Sequence, residues 1–92
     1  MIVIIKSAPD TADGVRGVTL ARDSKADLVL LQNGVYFAQK ERLEIAGNVY
    51  VLDDDKRLRG FKESEMDARA KTIGYDQLTD MLTESEKVVG MF

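Results

Sequence analysis

The chain contains no cysteine, no histidine and no tryptophan, and only one proline, Pro9. Without a thiol there is no disulfide, no thiolate nucleophile, no persulfide carrier and no zinc thiolate site. Without imidazole there is no neutral-pH proton shuttle and the commonest metal ligand is missing. Most catalytic constellations are excluded by these two absences. A long apolar run is missing as well. The N-terminal run Ile2 to Ile5 opens directly after Met1 with no basic region, so neither a signal peptide nor a membrane span is expected there, and a cytoplasmic protein is. Nor is there an excess of positive charge. Thirteen Lys and Arg stand against sixteen Asp and Glu, a net charge of −3. Residues 1–46 carry six of each sign, and residues 47–92 carry seven basic and ten acidic side chains. Affinity for a phosphate backbone comes from clustered Lys and Arg, so direct nucleic-acid binding is disfavoured.

What is present describes a small folded domain. With 45% hydrophobic and 32% charged residues in a chain of 92, disorder is excluded on composition. At 10.2 kDa, surface scaling predicts a folded accessible area of roughly 5,300 Å² against about 14,800 Å² unfolded, which leaves a real but thin core. No repeat, low-complexity tract or linker divides the sequence, so residues 1–92 read as one domain.

Four short runs are apolar on successive positions, as parallel strands covered on both faces are. They are Ile2 to Lys6, Asp27 to Gln32, Val49 to Leu52 and, more weakly, Ala70 to Ile73. Each stops at turn or acidic residues: Asn33-Gly34, Asp53-Asp54-Asp55 and Gly74. Between them lie stretches with helical spacing. Ala12, Val15, Val18, Thr19 and Arg22 fall three or four apart, with Ser7 as a cap and Asp10 complementing the exposed amides. Gly14 and Gly17 weaken that helix by roughly 1 kcal/mol each relative to Ala, unless their smallness serves close packing on the sheet. Val35 to Leu43 predicts a second helix, Asp54 to Arg59 a short one stopped by Gly60, and Asp76 to Leu82 a last one with Leu78, Met81 and Leu82 inward.

The order βαβαβαβα implies a small three-layer α/β/α fold with a mostly parallel sheet of four to five strands and right-handed crossovers. Such a sheet has open edges. The tail from Lys87 to Phe92 is apolar enough to add an edge strand or to need a partner surface, so oligomerisation is expected. Val88, Val89, Met91 and Phe92 are its candidate subunit contacts.

Ligands of open parallel sheets bind outside the carboxyl ends of the strands. The loops there contain neither a glycine-rich dinucleotide turn nor the Gly and Lys of a phosphate loop. Ser7 has no His or other evident base and reads as a cap before a nucleophile. The Asp53 to Asp55 cluster offers hard oxygen ligands, but the neighbouring strand ends supply Lys6-Ser7 and Gln32-Asn33 in place of further carboxylates. No metal and no cofactor is assigned. Helix capping by Asp53 or Asp54 is the alternative reading of that cluster. Ser7, Gln32, Asn33, Gly34 and Asp53 remain the candidate ligand or interface residues. Tyr36 and Phe37 diverge by about 100° on a helix, so one of the two is expected to be exposed and to suit a subunit contact.

Leu28-Val29-Leu30-Leu31-Gln32-Asn33-Gly34-Val35, then Val49-Tyr50-Val51-Leu52 with acids and Arg59-Gly60-Phe61, then Ile73-Gly74-Tyr75 before an amphipathic helix, resembles the TusB/DsrH family of sulfur-relay subunits. The resemblance covers residues 25 to 92; before residue 25 only the opening strand fits. It implies a domain of the DsrE/DsrF/DsrH type that joins TusC-like and TusD-like sisters in passing persulfide sulfur toward 2-thiolation of the tRNA wobble uridine, or in sulfur oxidation. The transferring Cys lies chiefly on the TusD-like or DsrE-like sister. Some DsrH-like members carry a Cys of their own, and this chain has none, so it cannot hold the sulfane sulfur. The expectation is a noncatalytic subunit without direct nucleic-acid or membrane contact. A stand-alone homo-oligomer binding a small ligand at the strand ends is the alternative.

Overall fold

A computed structural model describes residues 1–39 and 47–91, apart from the side chains of Glu63 and Met91. Five strands form one sheet: β1 (Ile2–Ile5), β2 (Asp27–Leu30), β3 (Val49–Leu52), β4 (Ala70–Ile73) and β5 (Val88–Met91). Their spatial order is β4-β3-β2-β1-β5, and every neighbouring pair is parallel. The apolar tail therefore adds an edge strand, with Val88 to Met91 in register with Ile2 to Ile5.

Because the strand period is two, each of β1 to β4 feeds both layers of the core. Val3, Ile5, Leu28, Leu30, Val49 and Val51 point to one face, where they meet helix α1 (Ala12–Ser24), Val35, Phe37 and Met66. Ile2, Ile4, Val29, Leu52 and Ile73 point to the other, where Leu78, Met81 and Leu82 of helix α3 (Tyr75–Glu84) cover them. This two-sided burial is why the strands are apolar at successive positions. The accessible surface is 5354 Å², close to the area expected for a chain of this mass.

The first helix packs by a stripe other than the one its apolar residues suggest. Gly14, Gly17 and Ala21 are buried, whereas Val15 is 53% exposed. A Cβ on Gly14 would stand 2.4 Å from the carbonyl oxygen of Ala8, so the smallness of this residue sets the approach of α1 to the strand exit. The cap also differs from expectation. Ser7 does not cap the helix; the Thr11 hydroxyl accepts from Gly14 N–H at 3.1 Å and donates to Ala8 C=O at 2.7 Å. Thr11 wins because it is the residue immediately before the first helical turn.

The expected second helix, Val35 to Leu43, starts earlier and is tighter. It is a 3₁₀ helix over Gln32–Ala38; residues 40–43 of the expected span lie outside the described residues. The short helix is α2 (Asp53–Leu58), and it ends before Gly60, whose φ of +69° needs a glycine. A 3₁₀ turn, Glu63–Glu65, leads to β4.

Candidate functional site

At the carboxyl ends of β2 and β3, two separate stretches of sequence are tied together. Gln32 leaves β2 in the left-handed region, with φ of +49°. That conformation is uncommon for a residue with a Cβ and is held here from outside: the Asp55 carboxylate accepts from Gln32 N–H at 2.8 Å. Asn33 follows, and its side-chain oxygen accepts from Arg59 Nε at 3.1 Å. Arg59 closes the circuit by donating to Asp55 C=O at 3.3 Å and pairing with the Asp55 carboxylate at 3.7 Å. The two charged side chains are only 19% and 13% exposed, so this pair is screened less than a surface ion pair.

Gly34 completes the turn. A Cβ there would lie 2.2 Å from the carbonyl oxygen of Ile5, so the 3₁₀ helix can pass under the end of β1 only without a side chain. Two residues on, Tyr36 is half-buried and tilts against Phe61, ring centroids 5.1 Å apart at 58°. Phe37 is buried in the core; it cannot serve as the exposed subunit contact, because the 3₁₀ turn directs it onto the sheet.

The acids divide their work. Asp53 pairs with Arg57 one turn on, and this bond holds the exposed guanidinium pKa above its ordinary value. Neither Asp53 nor Asp54 caps α2, since the N-cap position is Leu52 and has no side-chain hydrogen bond. Both sit in the first turn with Asp55, where negative charge suits the helix dipole. Among the described residues no group of three acids is placed to hold a metal ion. Ser7 is half-buried on the β1 exit, apart from the Asp55–Arg59 circuit. Of the tail, Val88 is exposed and Val89 half-buried; the Met91 side chain and Phe92 lie outside the described residues.

The structure thus joins Gln32, Asn33 and Gly34 to Asp55 and Arg59. Asp55 and Arg59 were not among the candidate residues, although the signal was present: an acid and a base four apart, just past a strand end. An open concavity of about 220 Å³ lies beside this edge, lined by Ala8, Pro9, Asp10, Tyr36 and Gln39. Of the candidate ligand and contact residues, only Tyr36 borders it. Chemically, the edge offers hydrogen-bond donors and acceptors in a fixed frame and no nucleophile with a base beside it.

Comparison with known proteins agrees with the fold. The chain matches the family model for DsrH-like proteins over residues 12–88. Protein Tm0979 from Thermotoga maritima, solved in solution by NMR, is 31% identical, superposes with a TM-score of 0.70, and is matched over 95% of this chain and 97% of its own. The crystal structure of ychN protein from E. coli is 13% identical and shares the fold, with a TM-score of 0.73 over 97% of each chain. No curated protein matches in sequence. The match to the family model over most of its length, together with the five-stranded parallel sheet, makes this chain a member of the DsrH-like family.

Proposed function

We propose that the chain is a noncatalytic subunit of a sulfur-relay complex, positioning a Cys-bearing sister of the same fold for persulfide transfer toward tRNA wobble uridine 2-thiolation. Membership of the DsrH-like family carries the relay role. The absence of any Cys assigns the transfer step to another chain. The Asp55–Arg59 circuit gives the contact its frame: it fixes Gln32 and Asn33, both exposed, in one geometry at the carboxyl end of the sheet. A preorganised polar loop loses little entropy when a partner docks. TusC-like and TusD-like chains are the proposed sisters, with Tyr36, Val88 and Val89 as further contacts and the whole of residues 1–92 acting as one domain.

A tagged pull-down from the native cytoplasm, with mass spectrometry of the partners and of their cysteine persulfides, tests this reading. Recovery of a small Cys-bearing α/β sister is expected. Recovery of the chain alone as a stable homo-oligomer contradicts it and favours a second reading, in which the chain self-associates and binds a small ligand at the strand ends. The concavity beside Tyr36 is the observation behind that alternative.

A further inference from the structure

The sequence has two asparagines, Asn33 and Asn48, and only Asn33 is followed by glycine. An Asn-Gly step is chemically unstable in a flexible chain. The Gly34 amide nitrogen attacks the side-chain carbonyl carbon of Asn33, a carbon–nitrogen bond forms, and the side-chain nitrogen leaves as ammonia with the proton that Gly34 gives up. Water then opens the cyclic imide at either carbonyl, so the product is aspartate or isoaspartate. The step needs no oxidant, metal or enzyme. Glycine favours the attack because no Cβ hinders its nitrogen, whereas Asn48 precedes the β-branched Val49.

In the folded chain both reacting groups are engaged. Asn33 is exposed, but its side-chain oxygen accepts from Arg59 Nε at 3.1 Å, which ties the amide to α2. Gly34 is buried, and its N–H donates to Leu31 C=O at 2.9 Å. Gly34 also packs so closely on the end of β1 that a Cβ would lie 2.2 Å from the Ile5 carbonyl oxygen, which leaves this peptide unit little room to swing toward Asn33. We propose that Asn33 is a deamidation site held closed by the fold, with the Arg59 hydrogen bond as its latch. The step proceeds only when the 3₁₀ turn and α2 separate, a local opening that leaves the sheet intact. Its product carries a new negative charge at position 33, so that one guanidinium faces carboxylates at positions 33 and 55. Isoaspartate also lengthens the main chain by one methylene just after the left-handed Gln32.

Incubation of the full chain at mildly alkaline pH, folded and in denaturing urea, tests the site, with timed peptide mapping by mass spectrometry to count aspartate and isoaspartate at positions 33 and 48. Rapid conversion at position 33 alone is expected in urea, and slow conversion in the folded chain. Folded Arg59→Ala should convert about tenfold faster than the folded parent, the effect of losing one hydrogen bond from a charged donor. Arg57→Ala removes the ion pair with Asp53 on the same helix without touching Asn33, and should convert at the parent's rate. Arg59→Lys keeps the charge but not the planar donor; it should fall between parent and alanine variant, and it serves if the alanine variant does not fold. A folded rate equal to or above the unfolded one, an unchanged rate in the folded Arg59 variants, or conversion of Asn48 as fast as Asn33 in urea would overturn the inference. Failure here leaves the relay reading untouched, since this chemistry involves no partner.

Discussion

At the residue scale, the strongest constraints come from side chains that are absent. Gly34→Ala would place a methyl 2.2 Å from a backbone oxygen at the end of β1, and neither partner is the free end of a flexible side chain. A loss of about 2–3 kcal/mol in unfolding free energy is expected from urea denaturation, in the range for overpacking. Arg59→Ala leaves the poorly exposed Asp55 carboxylate without its counter-charge while Asp55 still accepts from Gln32 N–H. About 1–2 kcal/mol should be lost, because a polar group would be stranded where water reaches it poorly. Arg59→Lys should recover only part of this, since an ammonium cannot donate to Asn33 and Asp55 from one planar group.

Asp67 makes a prediction about pH. Arg69 donates to it from Nε at 3.1 Å, from its second terminal nitrogen at 3.0 Å and from its backbone N–H at 2.9 Å. The side-chain hydrogen bond from Arg69 comes first among the causes that hold this carboxyl below the ordinary value of 3.8. A carboxylate with a depressed folded pKa adds stability that is fully present above the ordinary value and disappears as pH falls through the folded one. Asp67→Asn should therefore be less stable than the parent at neutral pH. The difference should shrink only once the pH drops below the ordinary carboxylate range, which denaturation across a pH series measures.

At the element scale, α1 shows which term wins. Gly14→Ala should gain about 1 kcal/mol in helix propensity, yet the added methyl would meet the Ala8 carbonyl oxygen at 2.4 Å. The clash outweighs the gain, so a net loss of about 1–2 kcal/mol is expected, while Val15→Ala at its exposed position should change the urea midpoint little. These residues also show what sequence reveals. The inner strands were legible because parallel strands buried on both faces leave an apolar run, and Val49 to Leu52 falls where that pattern puts it; Ala70 to Ile73, at the sheet edge with Lys71 and Thr72 exposed, shows it more weakly. The helical face of α1 was legible only in part: hydrophobicity marks the exposed Val15, while Gly14 and Gly17 read either as a weakness or as a means of close packing, and the second holds. The start of the 3₁₀ helix was missed for a related reason. Its first residue takes a left-handed φ held by Asp55, 23 positions away, and no local pattern carries such a contact. Half of the candidate site, Gln32 to Gly34, was visible as a strand exit; its other half, Asp55 and Arg59, becomes meaningful only when α2 folds against it.

At the scale of the whole molecule, the order β4-β3-β2-β1-β5 leaves two strands with one unpaired edge each. The β4 edge carries exposed Lys71, a charge that discourages further pairing. The described part of β5, Val88 to Gly90, carries none. Truncation after Lys87 should expose the side of β1, lower unfolding stability by about 2 kcal/mol or more from lost apolar burial, and raise the concentration-dependent association seen by light scattering. Between its edges the sheet holds two ends of different character: a polar, cross-linked end at Gln32, Asn33 and Arg59, and an open cleft lined by Met1, Asp27, Tyr50 and Glu84. The proposed relay contact lies at the first. No helix among the described residues is long and apolar enough to cross a membrane.

In the proposed role, this chain promotes sulfur transfer without carrying sulfur. The most direct test loads a Cys-bearing sister, recovered from the native complex, with labelled sulfane sulfur and follows delivery to its acceptor with and without this chain. Faster delivery is expected in the presence of the chain, with no label on the chain itself and a smaller acceleration with Arg59→Ala at matched folded concentration. Delivery at an unchanged rate, or label bound covalently to the chain, would contradict it.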